Sequence, residues 1–515
     1  MINHCILFRL IPVCCYLLVV LFVSPAAFAQ SQLHLEKIKS QIDQTFDPFE
    51  AKSQMEYLAS DAMQGRDTGT PELKEAARYL VKQMKNVGVQ PVPGADSGYY
   101  QEVPLQQKQP VKSVALKING HSISSDQIAV INGADTTLKG TAKWINENDS
   151  EISIADLNNR IILFGPKDAK RNTNTHSMEE WFRISRKQYV RAAYNGAKAV
   201  IHLVTGSTKE QWARFRQQVM QPGMSLADNN RDTPAIPYII IFDGAADVSN
   251  SLAPTNNPTI FLQVSGGQQQ RFSSNNVVGM VEGTSKEFKD EYILLTAHYD
   301  HIGIKSGVTA GQDSINNGAR DNGIGMVALL QAANHIAAHP LKRSVLFLFV
   351  TAEEKGLLGS KWYVDQPLID LKNTVFNLNI DGAGYNDTSK VVIVGLEKTS
   401  ARNHFIAAVE AYHLTATASP VPQLNLFYRS DNIWFARKGI PAPTFTQGFT
   451  GFDAELQKYY HKPADEVESL NYPYLNKYYK SFILALNLIG NDEKRPEWLP
   501  GAGEEFIEAY QLLYL

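Results

Sequence analysis

The sequence predicts an α/β fold: a mixed, mostly parallel central sheet flanked by helices, with a second, smaller α/β unit inserted into it. Between residues 276 and 490, short apolar runs rich in β-branched residues alternate with helical segments. The runs are continuously apolar, which is typical of parallel strands buried on both faces. Between residues 120 and 265 the strands are shorter and the polar stretches longer, which indicates the inserted unit.

Length and composition agree with a soluble protein of more than one unit. The chain has 515 residues, more than one ordinary domain needs. Its 44% hydrophobic and 20% charged residues are typical of globular proteins. The formal net charge of -3 gives no basic footprint for nucleic acid or for an anionic membrane. We therefore expect no nucleic-acid partner.

The first 29 residues have the pattern of a signal peptide. Arg9 precedes an apolar run over residues 10–23, and Ala27-Phe28-Ala29 forms a cleavage site. The run is short for a membrane span, so we expect no stable membrane insertion after cleavage. All three cysteines lie in this segment, so the mature protein would have no disulfide. The pattern predicts a secreted or periplasmic protein.

The amino-terminal part of the main domain, residues 30–119, begins with helical segments. A proline in the first turn and a glycine after the last residue mark one helix, at 71–87. The predicted helices are 31–47, 47–63 and 71–87, and the predicted strands are 99–105 and 111–118.

The inserted unit, residues 120–265, shows strands at 160–164, 197–203 and 236–242 and a helix at 189–196. Residues 205–231 are polar and are predicted to be a long excursion.

The core, residues 266–490, alternates regularly, and a glycine-rich turn at 500–503 divides the tail, residues 491–515. The predicted strands are 291–297, 344–351, 374–380, 390–395 and 442–446, and the predicted helices are 322–338, 356–364, 401–412, 430–438 and 473–489.

Acids and a histidine follow three of the core strands directly. His298 ends the first, Glu353 and Glu354 follow the second, and Asp381 follows the third. Ligands of open α/β sheets bind beyond the carboxyl ends of the strands, so these side chains should form one site. With an acid at the next helix and a histidine further on, the candidate metal ligands are His298, Asp321, Glu354, Asp381 and His461.

Two imidazoles and three carboxylates make a mixed nitrogen and oxygen set, which suits zinc. A two-metal site needs one bridging carboxylate and ligands on each side, and five ligands divide into one bridge and two pairs. Asp300 stands two residues after His298 and could accept a hydrogen bond from its second ring nitrogen. The set predicts two Zn²⁺ ions per chain.

Glu353 and Glu354 are adjacent like charges at the end of an apolar strand, which a purely structural role would avoid. If Glu354 binds metal, Glu353 can take the proton of an attacking water and pass it to a leaving amine. Tyr460 could donate to the developing oxyanion, with Tyr428 as the alternative donor. This chemistry is hydrolysis without a covalent intermediate.

Each residue also has an ordinary interpretation. Asp321 could be a helix N-cap, Asp381 a turn residue and His461 a loop residue. His301 is expected in the wall of the site rather than among the ligands. No G-x-S-x-G sequence is present, so a serine hydrolase would lack its nucleophile elbow.

Taken together, the motifs HxD, DNGxG, EExGxxGS, an aspartate after an apolar strand, and YHxPxD resemble the secreted co-catalytic zinc aminopeptidases, relatives of glutamate carboxypeptidase II. The resemblance extends from Asp47 to about Gly490. It implies that Glu353 is the general base. It also implies that His298 and Asp381 hold one zinc ion, Glu354 and His461 hold the other, and Asp321 bridges them.

The inserted unit is similar to a protease-associated domain, through Arg160-Ile-Ile-Leu-Phe-Gly and Asn195-Gly-Ala-Lys-Ala-Val-Ile-His. One departure lies at Ser430-Asp431-Asn432, where many family members have histidine after Ser-Asp. That departure affects the substrate end of the pocket.

The resemblance implies a secreted metallo-aminopeptidase that acts on peptides. A carboxypeptidase or a dipeptidase with the same centre, or an inactive receptor-like relative, are the alternatives. A glutaminyl cyclase would need only one zinc ion. Side-chain preference and oligomeric state do not follow from the sequence.

Overall fold

The structure is a computed structural model that describes residues 25–133, 135–146, 153–166, 178–205, 207–227, 236–244, 248–249, 257–309 and 311–515. Most of the predicted signal segment, residues 1–24, lies outside the described residues. The first described element is the helix Pro25–Thr45, which includes the predicted cleavage site. No described helix has the length and apolarity needed to cross a membrane.

The described residues form two sheets. The strands of the larger sheet are β1 (Tyr100–Lys108), β8 (Met224–Leu226), β11 (Gln269–Val281), β12 (Tyr292–His298), β13 (Ser344–Val350), β14 (Thr374–Ile380), β15 (Lys390–Val394), β16 (Thr415–Thr417) and β17 (Thr444–Gln447). Their order across the sheet is β16-β15-β17-β14-β12-β13-β11-β1-β8.

The centre of this sheet is parallel and its flanks are mixed. Strand β12 runs parallel to β13 and β14, and β14 runs parallel to β17. On one flank β11 and β1 are antiparallel, and on the other β15 is antiparallel to β17. The mixed α/β class is confirmed, but only four of the eight pairings between the described strands are parallel: three among the four central strands, and that of β15 with β16.

The central strands are buried on both faces, as their continuous apolar runs predicted. In β13, Val345, Phe347 and Phe349 pack into one core, and Leu346 and Leu348 pack into the other. Successive side chains of a strand point to opposite faces, so one run of apolar residues fills two cores. The two faces therefore need helices on both sides.

Helices cover both faces of the sheet. On the face of Phe347, the core is closed by residues of Pro25–Thr45, Pro48–Leu58, Pro71–Asn86, Ile324–Ala338, Arg402–Glu410 and Tyr472–Asn491. On the face of Leu346, it is closed by residues of Leu358–Asp365, Asn432–Arg437, Ala454–Tyr459 and Glu504–Tyr514.

The second sheet has eight strands, in the order β3-β2-β10-β5-β6-β7-β9-β4. It begins at Val111, ahead of the boundary at residue 120 that the sequence suggested. Its strands are β2 (Val111–Ile118), β3 (His121–Ile123), β4 (Ile128–Asn132), β5 (Thr136–Asn146), β6 (Ile161–Gly165), β7 (Ala199–Val204), β9 (Tyr238–Phe242) and β10 (Thr259–Gly266), with helices Ile154–Leu157, Met178–Tyr194 and Lys209–Met220.

The predicted excursion at residues 205–231 includes regular structure in its described part. This stretch contains the helix Lys209–Met220 and the strand β8, which joins the edge of the larger sheet beside β1. The helix buries only Trp212 and Phe215 among many polar residues, so its apolar content is too low for periodicity to show it.

Candidate metal centre

Three parallel strands bring their carboxyl ends to one edge of the larger sheet. Strand β12 ends at His298, β13 ends three residues before Glu353, and β14 ends one residue before Asp381. The in-register pairing of β12 with both neighbours places these ends side by side. The local sequence therefore fixes the edge, and the sheet topology brings the side chains together.

Asp321 reaches the same edge from an irregular segment before the helix Ile324–Ala338. Its backbone is not helical, and it is not the helix cap that was one expectation. The side chain of Asn322 accepts the hydrogen bond from Gly325 N–H (3.1 Å) instead. The Asp465 carboxylate accepts hydrogen bonds from the backbone N–H groups of Arg320 (2.9 Å) and Asp321 (3.2 Å). The carboxylate of Asp321 is thus left for the site.

The donor atoms of the predicted ligands converge around the two oxygens of Asp321. His298 Nε2 lies 3.2 Å from Asp321 Oδ1 and 3.4 Å from Asp381 Oδ1. His461 Nε2 lies 3.3 Å from Asp321 Oδ2 and 3.3 Å from Glu354 Oε2. Each side of Asp321 therefore faces one histidine and one further carboxylate.

These separations fit zinc. Zinc binds nitrogen and oxygen donors at roughly 2.0–2.2 Å, so two donors on one tetrahedral ion stand roughly 3.3–3.6 Å apart. Three of the four separations, 3.3–3.4 Å, lie at the short end of that range, and the fourth, 3.2 Å, lies just below it; all four are at or beyond the upper limit for hydrogen bonds. Because Asp321 presents a different oxygen to each histidine, it has the geometry of a bridge between two ions.

His301 also lies against the site. Its ring is fully buried, and its Nδ1 is 2.8 Å from Glu354 Oε1, the oxygen that faces away from His461. Neither of these two atoms has a well-aligned hydrogen bond with the described residues. His301, Asp321 and Glu354 also group closely enough to hold a metal ion. The site therefore contains buried polar atoms that its own side chains do not satisfy.

The electrostatic field of the site favours a cation. For His461, burial opposes the charged form, but Asp321 and Glu354 raise the pKa to about 10. For Glu354, burial and Asp321 favour the neutral form, but His301 and His461 lower the pKa to about 2. Burial likewise opposes ionisation of Asp321, and its contacts with His298 and His461 outweigh it and lower the pKa. The negative field that favours a proton on His461 would also favour a metal ion.

Glu353 lines the same cleft as Asp321, Glu354 and Asp381. Burial raises the pKa of the Glu353 carboxyl well above its usual value, and the negative charges of Asp381 and Glu354 add to the rise. The positive charge on His298 opposes it. Glu353 is therefore a half-buried carboxyl with a raised pKa next to the candidate ligands.

The prediction that the carboxylate of Asp300 contacts His298 is wrong, because the backbone carbonyl of Asp300 makes that contact. His298 Nδ1 lies 3.0 Å from the backbone carbonyl oxygen of Asp300. The carboxylate instead accepts hydrogen bonds from Glu353 N–H (3.1 Å), Glu354 N–H (3.3 Å) and the hydroxyl of Thr68 (3.1 Å). Asp300 does not line the cleft and fixes the backbone that carries the two glutamates.

Tyr460 lines the cleft beside the candidate ligands. Its ring stacks on His461, with 4.0 Å between the ring centroids. Burial raises the pKa of its hydroxyl, as do nearby carboxylates, while Arg429 opposes the rise. The alternative donor, Tyr428, is 44% exposed, and its hydroxyl donates to Glu505 (3.4 Å). Of the two tyrosines, only Tyr460 lines the cleft.

Arg66 supports the site from behind and had no predicted role. It is fully buried, and its guanidinium donates to the backbone carbonyls of Tyr299 (3.0 Å), Asn317 (2.7 Å) and Gly318 (3.1 Å), and of Leu58. Burial lowers its pKa to about 10, and four carboxylates oppose the change. Arg66 thereby ties the turn after β12 to the segment that leads to Asp321. Its only sequence signal was a glycine-rich loop.

The cleft that opens from the metal ligands has a volume of about 290 Å³. Its wall is largely apolar, and two of its side chains, Leu424 and Phe452, are 37% and 39% exposed at the surface. The apolar lining residues are Val394, Val421, Leu424, Leu426, Phe449, Phe452 and Leu456.

Asn432, the departure from the histidine of many family members, does not line the cleft. It is fully buried, and its amide donates to the backbone carbonyls of Phe427 (3.1 Å) and Ala442 (3.1 Å). The asparagine therefore holds the backbone before Arg429 in place.

Comparison with known proteins identifies the core. The model of Peptidase family M28 matches residues 276–485. Aminopeptidase YwaD of Bacillus subtilis is 26% identical over 230 residues, which are 44% of this chain and 47% of that protein. A vacuolar membrane protease of Saccharomyces cerevisiae is 32% identical over 139 residues, which are 27% of this chain and 12% of that protein. The matched regions thus span less than half of these curated relatives.

The fold has a counterpart among solved structures. An aminopeptidase from Aneurinibacillus sp. strain AM-1 superimposes with a TM-score of 0.50 and 20% identity, covering 89% of this chain and 97% of that one. At this level of identity, the similarity shows a shared fold and nothing about activity. The family match falls on the residues that build the candidate metal centre, from the segment before β12 to the helix Tyr472–Asn491. The core of the chain, residues 276–485, therefore matches the model of Peptidase family M28.

Proposed function

We propose that the chain is a secreted, zinc-dependent aminopeptidase that removes amino-terminal residues from peptides. The observation that carries this proposal is the pair of donor sets on the two oxygens of Asp321, each with separations of 3.2–3.4 Å. His298 and Asp381 would hold one Zn²⁺ ion, and Glu354 and His461 would hold the other. The aminopeptidase names of two relatives support the same reaction class.

In this reaction the two zinc ions, when bound, lower the pKa of water toward ~7 and polarise the scissile carbonyl. Glu353 then removes the proton from the attacking water, holds it on its carboxyl group and delivers it to the leaving amine. The raised pKa of Glu353 suits its role between the two steps, because the carboxyl can hold the proton taken from water until the amine leaves. Asp300 keeps Glu353 in place through the backbone.

Tyr460 would donate a hydrogen bond to the oxygen of the carbonyl as its negative charge develops. Its stacking on His461 fixes the ring beside the metal ligands. The raised pKa keeps its hydroxyl protonated at neutral pH, as a donor must be. The apolar wall of the cleft would bury an apolar side chain of the substrate and exclude water.

The charge of the centre favours a substrate with a free amine. Two Zn²⁺ ions and three carboxylate ligands leave a single positive charge, which Glu353 and Asp300 would more than offset when ionised. A cationic amino terminus would therefore be tolerated near the scissile bond. A carboxypeptidase or dipeptidase would use the same centre, and a metal-free receptor would not need its five donors.

Export rests on the pattern of residues 1–29, and the protease-associated character of residues 120–265 stays a prediction from the sequence. Both predict a protein that meets peptides outside the cytoplasm. Neither is needed for the chemistry at the metal centre.

A digestion experiment tests the activity. The zinc-loaded protein is incubated with a mixture of peptides that have free or acetylated amino termini, and the products are identified by mass spectrometry. We expect stepwise loss of amino-terminal residues from the free peptides only, because an acetylated terminus has no amine to bind. Treatment with a chelator should abolish the loss, and added zinc should restore it.

The acetylated peptides separate the alternatives. Cleavage of their carboxyl-terminal residue would show a carboxypeptidase and exclude our assignment. Cleavage of dipeptides alone would show a dipeptidase. Full activity after metal removal, checked by elemental analysis, would contradict the zinc mechanism itself.

A further inference from the structure

Arg429 places an unpaired positive charge in the wall of the cleft. It lines the same cavity as Glu353, Asp381 and Tyr460. Its guanidinium makes no hydrogen bond and no ion pair with any residue in the described part of the chain, and its side chain is exposed. By contrast, Arg437 on the following helix packs its guanidinium over the ring of Trp434, with 5.0 Å to the centroid.

The backbone on both sides of Arg429 is fixed. The hydroxyl of Ser430 accepts a hydrogen bond from the Asn379 amide (2.8 Å), at the end of β14. The amide of Asn432 donates to the carbonyl of Phe427 (3.1 Å). Ser430 and Asn432 are both buried. The arginine therefore projects from a rigid segment, which lowers the entropy cost of presenting its guanidinium to a ligand.

No carboxylate of the cleft is left for Arg429 in the metal-loaded state. Asp321, Glu354 and Asp381 would be metal ligands, and Glu353 would carry the reacting proton. The rest of the wall is mainly apolar, with Leu424 and Leu426 close to Arg429 in sequence. A guanidinium has five donors in a planar fork that matches a carboxylate, so the missing partner is a carboxylate of the ligand.

We propose that Arg429 binds a carboxylate of the substrate, and that the enzyme prefers peptides carrying one within reach of the scissile bond. This inference rests on the proposed function. The carboxylate could be the carboxyl terminus of a dipeptide or an acidic side chain on the residue after the scissile bond. The two sources present the same planar group to Arg429. Blocking the carboxyl terminus of the peptide removes the preference if the terminus is bound, and leaves the preference if an acidic side chain is bound.

Four substrates test the proposal: Leu-Leu, Leu-Leu-amide, Leu-Glu-amide and Leu-Gln-amide. In the wild-type protein, kcat/KM should be higher for Leu-Leu than for its amide, or higher for Leu-Glu-amide than for Leu-Gln-amide. The first preference identifies the terminal carboxylate and the second the acidic side chain. Arg429→Gln should reduce the preference by about 10–100-fold, the size expected for a charge-assisted hydrogen-bonded pair.

Arg437→Gln is the matched control, since it removes an arginine outside the cleft and should keep the wild-type preference. Equal kcat/KM within both pairs in the wild type, or a preference that survives Arg429→Gln, would overturn the proposal. Calorimetry on zinc-loaded Glu353→Gln protein measures the dissociation constants of the four peptides. The ratio of these constants within each pair gives the same preference as a binding measurement. If the wild type cleaves none of the four peptides, the proposed function fails, and the binding ratios alone decide the role of Arg429.

Discussion

Replacing Glu353 by glutamine is expected to lower kcat by about 10²–10⁴, the contribution of a positioned general base, while two zinc ions stay bound. Glutamine has the size of glutamate, so the apolar strand β13 and the backbone bonds to Asp300 are kept. What is lost is the carboxylate that, in the proposed mechanism, accepts the proton of the attacking water. The measurements are steady-state turnover of an amino-terminal substrate and zinc content by elemental analysis.

Its neighbour provides the control. Glu354→Gln changes an adjacent residue of the same type, whose Oε2 lies 3.3 Å from His461 Nε2. We expect this variant to lose zinc from the side of His461 and to recover activity as zinc is added in excess. If Glu353→Gln lost zinc instead, or kept wild-type turnover, Glu353 would not be the base.

Arg66→Met is expected to lower the free energy of unfolding by more than about 3 kcal/mol, because each buried acceptor left without a donor costs about 1–3 kcal/mol. Methionine fills much of the space but leaves the carbonyls of Leu58, Tyr299, Asn317 and Gly318 without their shared donor. Three of these carbonyls belong to the segments next to His298 and before Asp321, so zinc affinity should fall as well. Urea unfolding of the metal-free and zinc-loaded proteins measures both effects.

Arg78→Met controls for the loss of an arginine. Arg78 is 62% exposed and pairs with Glu75 within one helix, so its removal should change stability by less than about 0.5 kcal/mol. If Arg66→Met and Arg78→Met lowered the free energy of unfolding equally, the hydrogen bonds of Arg66 to the four carbonyls would not stabilise the fold. Lower stability with unchanged zinc affinity would restrict Arg66 to a folding role.

The sequence predicted the edge of the sheet where the site lies, because that information is local. A continuously apolar run followed at once by an acid or a histidine marks the end of a buried strand, as in β12, β13 and β14. Parallel neighbours then bring such ends together. The inserted unit was harder to predict from the sequence. Its helix Lys209–Met220 buries few apolar residues, so the sequence shows no clear helical periodicity there.

Contacts between distant segments were predicted less well. Spacing suggested that Asp300 serves His298, two residues away, but its carboxylate binds the backbone of Glu353 and Glu354. Asp321 has the sequence context of a helix cap, yet Asn322 takes that role. In the first case a local rule was overruled by partners far away in sequence, and in the second by the neighbouring residue.

Two supporting residues had no predicted role. Asp465 is the last residue of the YHxPxD motif, and its carboxylate holds the backbone of Arg320 and Asp321. Arg66 lies in a glycine-containing loop, residues 64–70, outside the quoted motifs. Backbone carbonyls and N–H groups are the partners of both, and these are the same for every residue type, so the sequence carries no mark of the pairing.

X-ray diffraction with anomalous scattering at the zinc edge would test the central claim most directly. We expect two zinc peaks, roughly 3.5–4 Å apart, on either side of the Asp321 carboxylate. One should lie between His298 and Asp381, and the other between Glu354 and His461. A single peak, or a pair in which Asp321 contacts only one ion, would contradict the two-zinc account.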